Sequence, residues 1–231
     1  MTQNPIPSSP SDDVATRVAR RTLDKRGTDY AAEVRRLLDA GLEIMRTCGT
    51  ESRPRVADIV AAAGLSNDAF YRHFPSKDAL VAAILEDGNE RLGLYVAHQM
   101  TKSPAPEGKV RRWVEGVMAQ ADDEIAATTL AVLWNAGAGL AGAPGSGSAA
   151  APIATPLHEP LAALGSTRPE LDATLIAHAT VGRLADHLFA GTRPDPAEVD
   201  HLVSCCLAVA GASAEAGART GLDTGVETGE E

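Results

Sequence analysis

Residues 56–74 read VADIVAAAGLSNDAFYRHF, two short helical segments around a tight turn. Gly64 closes an Ala-rich segment where the chain must turn through the left-handed conformation, which glycine adopts without a Cβ clash. Leu65 follows as a plug for the crease between the segments. Ser66 stands at an N-cap position, its hydroxyl available to a free backbone N–H one turn on, so the next helix starts at Asn67. In that helix Phe70 and Phe74 are four apart and share a face with Leu65, which directs them onto Val56, Ile59 and Val60. Three of the chain's eight aromatics fall between positions 70 and 74, so this short helix supplies much of a small core and is held rigidly. Asn67, Asp68, Tyr71 and Arg72 are left on its other faces. A DNA major groove admits one α-helix, and polar side chains near its N-terminus reach base edges while the preceding helix braces against the backbone.

Working outward, Pro75 stops the second segment, Ser76 caps the next helix, and Lys77 brings a charge beside free N–H groups that already favour phosphate. Arg53 and Arg55 bring the same character to the start of the helix before the turn. The Ala-Gly-Leu-Ser turn, the Phe-Tyr-Arg-His-Phe run and the Ser-Lys-Asp-Ala-Leu entry stand in register over about 30 residues, and the region from Tyr30 to Leu85 resembles the DNA-binding domain of the tetracycline-repressor (TetR) family. The resemblance implies an all-helical homodimer with a three-helix DNA head, a divergent ligand-binding body, and release from an operator when an effector binds. Carried over by position, Ser66, Asn67, Asp68 and Ala69 occupy base-facing or backbone-facing slots, and Tyr71, His73 and Lys77 match phosphate contacts. The chain departs from the pattern at the helix before the turn, where a Thr or Ser hydroxyl is usual and Arg53-Pro54-Arg55 stands instead. By its chemistry Asn67 suits adenine and Arg72 guanine, while Asp68 suits either a cytosine amine or the positive end of its own helix.

Apolar residues recur at three- and four-residue spacing almost throughout, and alternating runs are scarce, so the fold class expected is all-α: an N-terminal three-helix bundle with a helix-turn-helix, plus a larger C-terminal helical ligand-binding and dimerisation domain. Residues 1–28 read as a disordered or helical basic arm containing Arg17, Arg20, Arg21, Lys25 and Arg26, either a solvated face or a DNA contact. Residues 29–85 form the DNA-binding domain, opening with a helix from Asp29 whose stripe is Val34, Leu37, Leu38, Leu42 and Met45. Residues 86–211 form the body. Its expected helices are Lys109–Asp122, Glu124–Leu140, Pro156–Leu164, Pro169–Ala190 and Pro196–Ala210, with a flexible Gly- and Ser-rich connection over Gly142–Pro152. Residues 212–231, poor in large apolar groups, read as a disordered tail.

The formal charge of −10 argues against a nucleic-acid partner only until it is located. Residues 1–85 carry 12 Lys and Arg against 11 Asp and Glu, whereas the remainder carries 9 against 20. One end of the molecule is suited to phosphate and the other is not. No apolar run reaches membrane-spanning length, and Met1 to Ser11 lacks the basic start and apolar block of a secretory signal, so a cytoplasmic protein is expected. Cys48, Cys205 and Cys206 are an odd set, expected to be reduced, buried thiols.

In the body, Trp113, Val117, Met118, Leu133 and Trp134 are the candidate apolar lining of an effector site, with His98, His158 and His178 as candidate polar anchors; each taken singly fits plain core better than ligand contact. The last two helices carry stripes of Leu171, Leu175, Leu184 and Leu188 and of Val199, Leu202, Val203 and Leu207, with small residues Ala177, Gly182 and Ala185 permitting close approach in a dimer. The run Gly137–Gly142 fits GxGxxG literally, which raises the alternative of a nicotinamide-dependent oxidoreductase. That fingerprint requires a strand before the glycines, and the sequence there reads as helix. The six histidines offer no convincing metal-ligand spacing, and no nucleophile-base pair stands out, so neither a metal, a cofactor nor an enzymatic activity is expected. The expected partners are double-stranded operator DNA, a small-molecule effector and a second copy of the chain, with no membrane.

Overall fold

The computed structural model describes residues 14–136 and 150–222, and the elements among the described residues are all helical. The leader Met1–Ser11, the glycine run Gly137–Gly142 and most of the Gly- and Ser-rich connection lie outside them. Helix α1 spans Val14–Cys48 without a break at Asp29, about 52 Å of continuous helix. The expected boundary is therefore absent from the backbone. Gly27 is the weakest helix former near it, and its cost of about 1 kcal/mol is spread over a 35-residue helix rich in Arg, Leu and Ala. Leu37, Leu38 and Met45 are buried on its inner face, with Val34 and Leu42 half-buried beside them.

Helix α2 spans Val56–Ala63 and ends on Gly64, which is left-handed at φ 63° and ψ 38°. The Leu65 N–H then returns to the Val60 carbonyl at 2.9 Å, a closure that a side chain with a Cβ resists. Helix α3 spans Asn67–His73, and the Ser66 hydroxyl accepts from the Ala69 N–H at 3.1 Å. Helix α4 spans Lys77–Met100, capped in the same way by Ser76 on the Ala79 N–H. Phe70 and Phe74 pack with Ile59 and Val60, with Val56 and Leu65 at the margin, as the apolar spacing requires. Leu37, Leu80, Val81 and Ile84 complete this small core.

The body comprises α5 (Pro106–Met118), a 3-10 turn at Ala119–Ala121, α6 (Asp123–Ala136), α7 (Ala151–Ala154), a 3-10 turn at Thr155–Leu157, α8 (His158–Ala163), α9 (Pro169–Ala190) and α10 (Pro196–Leu222). Its core gathers around Trp113, which is fully buried and donates its indole N–H to the Ile153 carbonyl at 2.8 Å. Helix α4 belongs to both cores, contributing Leu80 and Ile84 to one and Val96 and Met100 to the other. Three expectations are corrected here. The end of the supposed flexible connection is packed: Ala150 is buried, α7 begins at Ala151, and Pro152 lies against Gly93 of α4, since proline in a first helical turn forfeits no hydrogen bond. Helix α10 continues past Ala210 to Leu222, because the stretch is rich in alanine with Glu215 and Arg219, all good helix formers. Of the three free cysteines only Cys206 is buried, and burial pushes its thiol up to about 11; Cys48 is half-buried and Cys205 exposed.

Candidate nucleic-acid interface and body cavity

Helix α3 owes its position to Phe70, whose ring is sealed beneath it, and this leaves the other faces of the helix toward solvent. Ser66, Asn67 and Asp68 are exposed at its N-terminal end, where base edges are read. Tyr71 is 57% exposed, its ring nearly perpendicular to that of Phe70 with centres 5.2 Å apart. Lys77 is half-buried at the first position of α4. Arg53 is exposed, and Arg55 is exposed with its guanidinium paired to Asp58 at 2.8 and 3.0 Å. These side chains stand in the α2–α3 turn, on α3, at the start of α4 and in the segment that leads into α2.

Three of the candidate DNA-contacting residues sit differently from expectation. Ala69 is 5% exposed and faces inward beside Phe70, so its methyl belongs to the helix packing and not to a base-facing slot. Arg72 is turned toward α1: its Nη2 donates to Glu33 Oε2 at 2.7 Å, and its guanidinium lies 5.6 Å from the centre of the Tyr30 ring. His73 has a side chain only 9% exposed, with Nε2 2.7 Å from the same Glu33 oxygen and its ring edge against Tyr30. The hydrogen bonds from His73 and then Arg72 hold the Glu33 carboxyl below the ordinary range. Tyr30 and Glu33 are the residues that sequence reasoning missed. Their partners lie about forty positions away, and no local pattern marks a contact of that separation.

The second site is a cavity of about 620 Å3 between the head and the body. Its wall includes Leu42 of α1, the Ile84, Gly88, Leu92 and Tyr95 face of α4, the Ile125, Thr128, Thr129, Val132 and Leu133 face of α6, and the Val181, Leu184, Ala185 and Leu188 face of α9. Asp87 and Arg91 stand in the wall as a pair at 2.9 Å, and Asp87 also accepts from Arg35 of α1 at 2.8 Å. The volume falls in the range of small-molecule sites, roughly 300–1,000 Å3. Of the eight candidate ligand contacts only Leu133 lies on this wall. Trp113, Val117 and Met118 are solid core, Trp134, His98 and His178 are exposed, and His158 is half-buried elsewhere. Aromatic size drew attention to the tryptophans, whereas the signal was the semi-polar α6 face at spacing i, i+3, i+4, i+7, i+8. The dimer stripe divides as well: Leu184, Leu188 and Ala177 are buried within the chain, while Leu171 and Leu175 are exposed, as is Phe189 outside that stripe.

A three-helix head presenting one groove-sized helix, joined by a shared helix to an all-helical body, defines a helix-turn-helix DNA-binding regulator. Residues 37–84 match the family described as bacterial regulatory proteins, tetR family, which makes this head the DNA-binding part of a transcriptional regulator. Its fold is similar to that of the fatty acid degradation regulator FadR from Bacillus halodurans, at 17% identity over 77% of this chain and 94% of that one, with a TM-score of 0.51. It is also similar to RolR in complex with resorcinol, at 17% identity over 82% of this chain and 94% of that one, with a TM-score of 0.56. No curated protein matches the chain. The oxidoreductase alternative is not favoured, because the element before Gly137 is helix α6 and not a strand. Among the described residues no helix is long and apolar enough to cross a membrane.

Proposed function

We propose that the protein is a homodimeric repressor that binds a near-palindromic operator through α3 and leaves it when an apolar small molecule enters the cavity. The observation that carries this reading is the position of α6. Val132 on that helix is buried in the core of the head and also stands in the cavity wall, beside Leu133. A ligand that moves α6 therefore disturbs the packing that fixes α3. The lining supports an apolar effector with one or two hydrogen-bonding groups, since the Arg91 charge is taken up by Asp87 and the remaining polar groups include threonine hydroxyls, the Tyr95 phenol and the Asn89 amide. RolR, a fold relative, is complexed with resorcinol, a small hydroxylated aromatic.

A second copy is supported by the exposed face of α9, where Leu175, Gly182 and Phe189 recur at seven-residue spacing and nothing lies within 4 Å of where a Cβ on Gly182 would stand. A two-fold dimer sets its recognition helices about 34 Å or a multiple apart on one duplex face. Asn67, Asp68 and the Ser66 turn are then the base-reading groups, with Tyr71, Lys77, Arg53 and Arg55 at the phosphates. The test is selection from random duplex DNA together with footprinting on the gene's own upstream region. Enrichment of a two-fold motif is expected; its absence from both sinks the reading.

A further inference from the structure

Arg72 is the best guanine-reading side chain in the head by chemistry, and the molecule withholds it. Its guanidinium is bound to Glu33 at 2.7 Å and rests over Tyr30, both on α1, although Arg72 is itself about half exposed. An unheld arginine at this place, on the surface of a helix entering the groove, reaches phosphates and base edges of any sequence. Each cation given to phosphate adds about 0.9 to the salt slope and tightens binding without regard to sequence. Glu33 is three-quarters buried, and a single oxygen of its carboxylate meets both the Arg72 and the His73 donors. The carboxylate is thus fixed from two sides and cannot swing away with the arginine.

We propose that Glu33 is a positioning residue for operator selectivity: it holds Arg72 against α1, keeps that positive charge off the DNA, and so limits binding to non-cognate duplexes. Glu33 touches no base in this scheme and acts through Arg72. Discrimination is then left to Asn67, Asp68 and the turn, whose short side chains report base identity without an added electrostatic attraction. The inference rests on the proposed DNA-binding role of α3.

The test measures Kd by fluorescence anisotropy on the selected operator and on a random duplex of equal length, across a salt series, with full-length protein. Glu33→Gln is expected to tighten random-duplex binding about threefold to tenfold and to steepen the salt slope by about one per protomer, while the operator gains less. Arg72→Gln alone is expected to leave the random-duplex slope near that of the parent, and Glu33→Gln/Arg72→Gln to return to it. Glu43→Gln removes another carboxylate from α1, one paired with Arg46, and is expected to change little. If the effect of Glu33→Gln persists in full without Arg72, or is matched by Glu43→Gln, the cause is lost acidic charge in general and the proposal falls. It falls equally if Arg72→Gln by itself flattens the slope by about one, for Arg72 is then already on phosphate. Should Glu33→Gln fail to fold, Glu33→Asp, too short to meet both donors, is read on the same assay; failure of both to fold makes Glu33 structural and overturns it. A parent protein that selects no two-fold motif sinks the operator reading alone, because the random-duplex slopes still decide Glu33.

Discussion

Phe70 shows how much of the head depends on single side chains. It is fully buried in the core of the head, where α3 packs on α1 and α2, with Phe74 5.9 Å away centre to centre. Phe70→Ala removes a ring that nothing nearby can replace and is expected to cost about 3–5 kcal/mol, visible as a lowered urea midpoint and as lost operator binding. Retained operator affinity with an unchanged midpoint contradicts its place in the core. Glu33 adds a pH dependence of definite sign. Its carboxyl lies below the ordinary 4.5 in the folded protein, so its contribution is complete above that value and is lost as pH falls through the lower folded one. In thermal melts from about pH 5 to about pH 3, Glu33→Gln should therefore lose less Tm than the parent. An equal loss in both removes Glu33 from the acid response. The residues at this scale divide by legibility. Gly64, Ser66, Ser76 and the two phenylalanines were readable because caps and i, i+4 pairs are local. Ala69, Arg72 and His73 were misplaced because burial and long-range pairing decide them.

Helix α4 is the element that binds the two halves, and its most constrained point is Gly93. A Cβ there would fall on the Pro152 carbonyl, a backbone atom that cannot swing aside. Gly93→Ala is expected to push α7 from α4 and lower stability by about 1–3 kcal/mol, even though alanine is the better helix former. A calorimetric Tm equal to or above the parent's contradicts this close packing. The same contact explains why the end of the Gly- and Ser-rich connection is packed and helical from Ala151. A Gly- and Ser-rich composition announced a loop but carried no sign that Pro152 and Ile153 dock on distant helices. Most helix boundaries are legible from periodicity, whereas α1 runs through the expected start at Asp29 and α10 runs past Ala210, because sparse apolar content does not by itself end a helix. Helical propensity alone carries such segments when the adjoining turns are already anchored.

For the whole molecule, the cavity and the α9 face supply the remaining tests. Ala185→Trp places an indole in the cavity, and binding of the neutral apolar dye Nile red is expected to weaken about tenfold or more with operator affinity kept, a difference of about 1.4 kcal/mol or greater. Unchanged dye binding removes the cavity as a ligand site. Leu175→Glu with Phe189→Glu puts like charges at the centre of the proposed dimer, and sedimentation velocity should show a monomer with weakened operator binding; a persisting dimer moves the interface elsewhere. The cavity is legible only as a face of α6, since enclosing it takes α1, α4, α6, α7 and α9, whose order in space the sequence does not spell out. That one helix carries Val132 into the head and Leu133 into the cavity has a thermodynamic corollary. Coupling between two binding events is reciprocal, so whatever factor the effector takes from DNA affinity, DNA takes from effector affinity. On the proposed reading, protein already seated on its operator is then the least sensitive detector, and the unbound pool responds first.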